Sequence, residues 1–317
     1  MSKTEEVEVE QAPTKRPFSA KLKAHFRKWW WLHLIIFCAC VLLIALPLVY
    51  VGYPRIAQHD VNESTLEVLA MTISNPTPDS FDLYLKQRLG VSSIFRPHLD
   101  SFNATMTLGE TDTPFLTVTV PALQARDGAE VIIEQRAVIE DMAAFTNYAV
   151  RSMLDETITV KVDGRTGLKL GALPKVDVDY HKVVTLKGLN KLKGFNITEF
   201  EIIKEEEDGT NMIGTVKIPN PTIQTLSLGN LTYDLAIEGT YIGTSSLTDV
   251  VIKPGDNFLP MRSATNQSLV LNFIGDYPDG KMPIQISNGE SEYNGKNLTY
   301  FTAALKANEM VVPLQMF

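Results

Sequence analysis

The pattern of apolar and polar positions splits the chain into one unbroken apolar run and a longer tract of period-two alternation. The run, Trp29 to Pro54, reads WWWLHLIIFCACVLLIALPLVYVGYP and holds no Lys, Arg, Asp or Glu. It exceeds the roughly 20 residues a helix needs to cross a hydrocarbon core, so it predicts a transmembrane helix kinked at Pro47. Alternation dominates from residue 56 onward. Leu116–Val120 (LTVTV) is one strand, and Ile158–Val162 (ITVKV) is another that runs into Asp163-Gly164, a dipeptide suited to a tight turn. Further strands are expected at Leu66–Ser74, Val131–Ile139, Val176–Tyr180, Phe195–Ile203, Met212–Ile218, Ile223–Leu228, Leu231–Glu238, Leu247–Ile252, Ser268–Phe273 and Met310–Leu314. Two segments switch to helical spacing. Asp141–Leu154 sets Met142, Phe145, Tyr148, Ala149 and Met153 on one stripe, and Tyr300, Phe301, Ala304 and Leu305 mark a shorter helix.

The chain also matches itself. Met71-Thr72-Ile73-Ser74-Asn75-Pro76-Thr77 aligns with Val216-Lys217-Ile218-Pro219-Asn220-Pro221-Thr222. Ile158 to Gly164 then aligns with Pro283 to Gly289, and Val184–Leu189 with Glu309–Leu314. An Asn-Pro step ends a strand because proline has no N–H for the ladder and drives its predecessor out of helical dihedrals. Two copies follow, 56–190 and 191–317. From Asn-Pro to Asx-Gly the first spans 88 residues against 68 in the second, and the Asp141–Leu154 helix fits the difference.

Charge gives the apolar run a direction. Lys15, Arg16, Lys21, Lys23, Arg27 and Lys28 precede it, whereas Arg55, Asp60, Glu63 and Glu67 follow, so residues 1–28 read as a basic cytosolic tail and 29–54 as a type II signal-anchor. Six Asn-x-Ser/Thr sequons, at Asn62, Asn103, Asn196, Asn230, Asn266 and Asn297, all fall after the run, the side a glycosylated ectodomain would occupy. Beyond residue 55 the chain carries 21 Lys and Arg against 33 Asp and Glu, a sign that argues against nucleic acid. Both cysteines, Cys38 and Cys40, lie inside the run, so the ectodomain can form no disulfide and must be held by core burial.

The second copy carries, in order, Ile218-Pro219-Asn220-Pro221, Leu226-Ser227-Leu228-Gly229, Tyr233-Asp234-Leu235, Gly239-Thr240-Tyr241-Ile242-Gly243 and Lys253-Pro254-Gly255-Asp256-Asn257. In these residues the chain resembles the LEA-2/WHy-like β-sandwich superfamily, and within it fungal membrane proteins with tandem DUF3712 domains. The first copy keeps Asn75-Pro76 but has no Gly-x-x-x-Gly or Lys-Pro-Gly. The resemblance implies an all-β chain: an N-terminal transmembrane helix, then two tandem LEA-2-like, immunoglobulin-like antiparallel β-sandwiches, the first with an inserted helix. It also implies a lumenal repeat array on the fungal vacuolar membrane. Each motif has a backbone reading as well: Pro254-Gly255 makes a turn, and Gly239 and Gly243 permit a tight turn or a bulge.

Chemistry is sparse. No Gly-x-Ser-x-Gly, Gly-x-Gly-x-x-Gly, phosphate-loop or His-Glu-x-x-His pattern occurs, and His59, His98 and His181 stand apart from one another, so no cofactor or metal is expected. Asp177 and Asp179 share a strand face and read as a solvated surface. The basic tail has two readings, a topogenic cluster or a surface for anionic lipid. The first functional reading is a non-enzymatic, membrane-anchored interaction or scaffold protein with a protein partner in the lumen. The alternative is a lipid- or apolar-ligand-binding protein using a sandwich interior, for which a large apolar cavity would count in favour and a filled core against.

Overall fold

The computed structural model describes residues 18–278 and 280–315, with side chains from residue 28 onward. Lys15 and Arg16 of the basic cluster, and the side chains of Lys21, Lys23 and Arg27, therefore lie outside the described residues. The chain forms two compact units, Met1–Arg55 and Ile56–Phe317.

Helix α1 (Phe18–Pro47) is followed by a π-helical turn, Leu48–Gly52, and by α2 (Tyr53–Glu63). The helical stretch Lys28–Glu63 is long and apolar enough to cross a membrane, and Phe37, Leu43 and Ile44 within it are exposed. The kink expected at Pro47 takes the form of the widened turn. Proline offers no N–H and crowds the preceding carbonyls, so the next turn winds wider and the Tyr53 N–H reaches back to the Leu48 carbonyl.

The second unit contains strands β1 (Thr65–Ser74), β2 (Ser80–Gly90), β3 (His98–Leu99), β4 (Phe102–Leu108), β5 (Pro114–Val120), β6 (Leu123–Gln124) and β7 (Ala129–Val138), then helix α3 (Met142–Leu154), β8 (Thr157–Lys169) and β9 (Val176–Lys187). There follow β10 (Asn196–Ile202), β11 (Met212–Asn220), β12 (Gln224–Ile237), β13 (Thr240–Ile252), β14 (Gly255–Thr265), α4 (Gln267–Ile274), β15 (Lys281–Tyr293), β16 (Lys296–Asn297), α5 (Thr299–Lys306) and β17 (Met310–Gln315).

In the first half β1, β2 and β7 form one layer, and β5-β4-β8 with β9 the other. Leu85 and Ile133 of one layer and Val118 of the other, all buried, line the space left between the layers, which is about 40 Å³. In the second half the order is β10-β11-β14-β13-β12-β15-β17, and β10 lies against β17, so the sheet curls almost into a barrel. The halves share one sheet: Met71–Ile73 of β1 runs parallel to Gln224–Leu226 of β12. Helices α3 and α5 weld them further, with the Phe145 ring 5.0 Å from Tyr300 and 5.4 Å from Phe81. Tyr293 and Tyr300 of the second half donate hydrogen bonds to Asn75 Oδ1 and the Thr77 carbonyl in the first Asn-Pro-Thr turn.

Two polar side chains hold α2 to the edge strand β9. Gln58 pairs both ways with the Asp179 backbone at 2.8 Å, as a further strand would. The buried Lys182 ammonium donates to the carbonyls of Val61 (2.5 Å), Asn62 (3.1 Å) and Ser64, acceptors at and just past the end of α2, where Val61 also accepts from the Ser64 hydroxyl. Burial lowers the Lys182 pKa, and the nearby Glu63 charge opposes that shift.

Several expectations are corrected. Ser268–Phe273 is helix α4, because Asn266 Oδ1 caps it by accepting from Leu269 N, and Leu269, Val270, Phe273 and Ile274 follow helical spacing. Asp163-Gly164 is no turn: β8 runs straight through it, paired to β4 and β9, and two ladders outweigh a local turn preference. The glycine serves packing, since a Cβ there would stand 2.8 Å from the Phe102 ring. Gly289 in the other copy does likewise, with Tyr233 passing 2.6 Å from the position of a Cβ. Ile223–Leu228 and Leu231–Glu238 are one strand, β12, bent at Gly229, whose φ is +72°. A helix stands before the Asx-Gly strand in both copies, α3 and α4, so the first copy's extra residues are spent on strands rather than on an inserted helix.

Candidate functional site

The glycine motifs position the barrel wall. Glu238 and Gly239, with φ of +48° and +77°, make the tight turn between β12 and β13, and Gly243, φ +147°, sits at a bulge where a Cβ would meet the Ala264 carbonyl. Lys253-Pro254-Gly255 turns β13 into β14, and Asn257 Oδ1 fixes the turn by accepting from Lys253 N at 2.8 Å. These turns hold three strands side by side, and the inward residues of β11 to β15 and β17 enclose a cavity of about 400 Å³.

Met212, Val216, Leu235, Ile242, Met261 and Ile284 supply much of its wall, and among the described residues no charged side chain lines it. The two halves fill their interiors differently for a local reason. Helix α3 has 13 residues and buries Phe145, Tyr148, Ala149, Ser152 and Met153, whereas α4 has 8 and buries none. Strand β10 adds little, because a register shift between Ile197 and Glu199 leaves Phe195, Ile197 and Phe200 half-buried against the space. The cavity opens beside α4 and β10, where the lining residues Leu271 and Ile202 are 66% and 63% exposed.

One row across this wall is polar. Tyr233, Ser245 and Ser263 are register partners on β12, β13 and β14, and all three line the cavity. The Ser263 hydroxyl donates to Ser245 Oγ at 2.9 Å. Tyr233 is 7% exposed, and burial raises its pKa well above the usual phenol range. A second polar group, Asn211, Thr265 and Gln267, sits where β14 meets α4, with Asn211 Oδ1 accepting from both Thr265 N and Oγ1 at 3.0 Å.

The residues singled out from sequence lie elsewhere. All six sequon asparagines are exposed. In five the side-chain oxygen is engaged: Asn62 accepts from Gln58, Asn103 from Thr119, Asn230 from Asp249 N, Asn266 from Leu269 N and Asn297 from Thr302. By contrast Asn75, Asn211, Asn220, Asn257 and Asn288, none of them in a sequon, donate through Nδ2. Lys28 is exposed on the helix. Asp177 and Asp179 stand on an exposed face across from Arg165, at 3.6 and 3.9 Å. His181 Nδ1 meets Asp163 Oδ1 at 2.6 Å on the surface, and His98 is exposed in β3. Sequence reading missed the cavity because its wall comes from seven strands, each alternating like any other. The hydroxyl row has no spacing signature, since Tyr233, Ser245 and Ser263 become neighbours only through strand register.

The family model described as "Protein of unknown function (DUF3712)" matches residues 113–235. That match supports the DUF3712 family for this chain. The DUF3712 match runs from β5 into β12 and so includes parts of both halves and the strand that joins them. Among curated proteins none matches the chain. Among solved structures, the periplasmic chaperone SfaE is similar over 79% of this chain and 100% of its own, at 11% identity and a TM-score of 0.20. A bacterial adhesin from Mobiluncus mulieris is similar over 77% of this chain and 83% of its own, at 8% identity and a TM-score of 0.20. At those scores the likenesses carry no argument here.

Proposed function

We propose that this chain is a non-enzymatic, single-pass type II membrane protein whose lumenal β-ectodomain binds a lipid or other apolar ligand in the barrel of its second half. The observation that carries the reading is the cavity of about 400 Å³, set against about 40 Å³ between the layers of the first half. Ligand sites are commonly concave, apolar and of roughly 300–1,000 Å³. Apolar walls of that extent left to water forgo the stabilisation that burial supplies elsewhere in the chain. An apolar occupant supplies that burial and covers lining that water wets poorly. Of the two readings drawn from sequence, the ligand reading therefore gains a specific support that the interaction-module reading lacks.

The remaining parts of the proposal rest on the chain itself. The basic flank before the apolar helix supports a cytosolic N-terminus. The six exposed sequon asparagines support a glycosylated lumenal face. The resemblance to vacuolar-membrane proteins in the motifs of residues 218–257 supports the vacuolar membrane as its seat.

The test uses the full-length protein in phosphatidylcholine nanodiscs, labelled with a photoreactive, clickable long-chain alcohol. Label is expected on peptides of β11 to β15, and Val216→Trp or Ile284→Trp, which fill the cavity, should abolish it while leaving the β-type circular dichroism intact. Label that maps elsewhere, or survives both fillings, refutes the ligand reading. Protease protection in sealed vesicles and endoglycosidase digestion test orientation separately.

A further inference from the structure

The cavity wall carries two polar patches, Thr265 and Gln267, which bond to Asn211, and one transverse row of hydroxyls, and that row has hydrogen-bonding capacity the protein does not use. Tyr233 is 93% buried, lines the cavity, and makes no hydrogen bond through its hydroxyl among the described contacts. Its ring is held by its passage over Gly289. Directly across the ladder, Ser245 accepts from Ser263, and among the described residues its own hydroxyl donates to none. Opposed residues on one sheet face stand about 5 Å apart at Cβ, so both side chains belong to one stretch of the cavity wall, the Tyr233 ring leaning toward β15 and Ser245 lying on β13. A buried polar group is normally satisfied, and one left open at a cavity wall is what a ligand oxygen completes. Charge is excluded by the same surroundings. With no Lys, Arg, His, Asp or Glu among the described lining residues, a phosphate or carboxylate inside would stay unpaired at large cost.

We infer that the Tyr233–Ser245–Ser263 row is a polar subsite that receives one hydroxyl or carbonyl oxygen of an uncharged lipid, whose hydrocarbon body fills the rest of the cavity. The inference rests on the ligand reading above and names the chemical class of its occupant. A sterol presents one such hydroxyl, a monoacylglycerol two hydroxyls and an ester carbonyl of which the row would receive one oxygen, and the experiment separates them. An unused hydroxyl also makes a second statement: Tyr233→Phe removes a group that has no protein partner, so it should not lower the stability of the empty protein.

The experiment is competition for the photoreactive label by full-length protein in nanodiscs, with empty discs subtracted. The competitors are cholesterol, its analogue lacking the 3-hydroxyl, 1-monoolein and oleate. Wild type should favour whichever hydroxylated lipid it binds over the hydroxyl-free sterol or over oleate by about tenfold. In Tyr233→Phe with Ser245→Ala that discrimination should fall to within about twofold, while Tyr233→Phe alone should weaken it and leave the thermal midpoint unchanged or raised. Displacement by cholesterol alone or by monoolein alone supports the subsite and identifies the body it accommodates. Equal displacement by hydroxylated, hydroxyl-free and charged competitors overturns the subsite while leaving the ligand reading standing. Absence of specific label in wild type overturns both.

Discussion

Truncating one buried side chain in each half tests the contrast between filled and hollow interiors. Phe145 is 2% exposed, and its ring centroid lies 5.4 Å from Phe81, 6.0 Å from Phe115, 5.9 Å from Tyr148 and 5.0 Å from Tyr300. Phe145→Ala leaves a void between α3 and α5 that these rings cannot close without breaking the contact between halves. Core Phe→Ala changes cost about 3–5 kcal/mol, and here the lost aromatic pairs place the expected loss near the upper end, about 4 kcal/mol. Met261 is 3% exposed but already faces the cavity, so Met261→Ala creates no new dry void and loses mainly the transfer of a few methylenes, about 1.5 kcal/mol. Urea unfolding of the full chain in detergent, followed by far-ultraviolet circular dichroism, measures both. Tryptophan fluorescence would not serve, because all three tryptophans, Trp29 to Trp31, lie in the apolar helix. Equal losses, or a larger loss for Met261→Ala, would refute the claim that the second half is hollow. Two separate transitions in the wild type would refute the claim that the shared sheet and the α3–α5 contact make the halves one cooperative unit.

Three further outcomes are expected. Lys182→Met leaves the carbonyls of Val61, Asn62 and Ser64 without their buried donor and should cost about 2 kcal/mol, with α2 the first segment to exchange its amide hydrogens; unchanged protection there would count against the clamp. Gly243→Ala puts a methyl against the Ala264 carbonyl at a φ of +147° and should cost about 3 kcal/mol by thermal denaturation, whereas Gly239→Ala, in open space, should cost no more than about 1. The pH dependence follows from depressed carboxyls. Hydrogen bonds from Thr77 and Ser80 lower Asp79, Asn75 and then Arg136 lower Asp82, Lys175 lowers Asp100, Lys86 lowers Glu130, and Thr210 lowers Asp208. A carboxyl held low in the folded state contributes stability above its unfolded pKa and loses it as pH falls through its folded pKa. The urea midpoint should therefore be flat from about pH 5 to 7 and fall below about pH 4, and a midpoint that rises on acidification would contradict these pairings.

What the sequence determined by itself were features decided by short-range chemistry. An apolar run with a basic flank is a membrane-length helix whatever surrounds it. The stripes at Phe145, Tyr148, Ala149 and Met153, and at Tyr300, Phe301, Ala304 and Leu305, became α3 and α5 because an apolar stripe must be buried and two such stripes can bury each other. Lys253-Pro254-Gly255 and Glu238-Gly239 turn the chain because their backbone preferences are local. Tertiary structure decided the rest wherever a distant partner outweighed a neighbour. Ladders on both sides carried β8 through Asp163-Gly164. The cavity belongs to the same category, since it depends on a helix of 8 residues standing where its counterpart has 13. Three hydroxyls from three strands share one wall only because register sets them there, and register is a property of the assembled sheet.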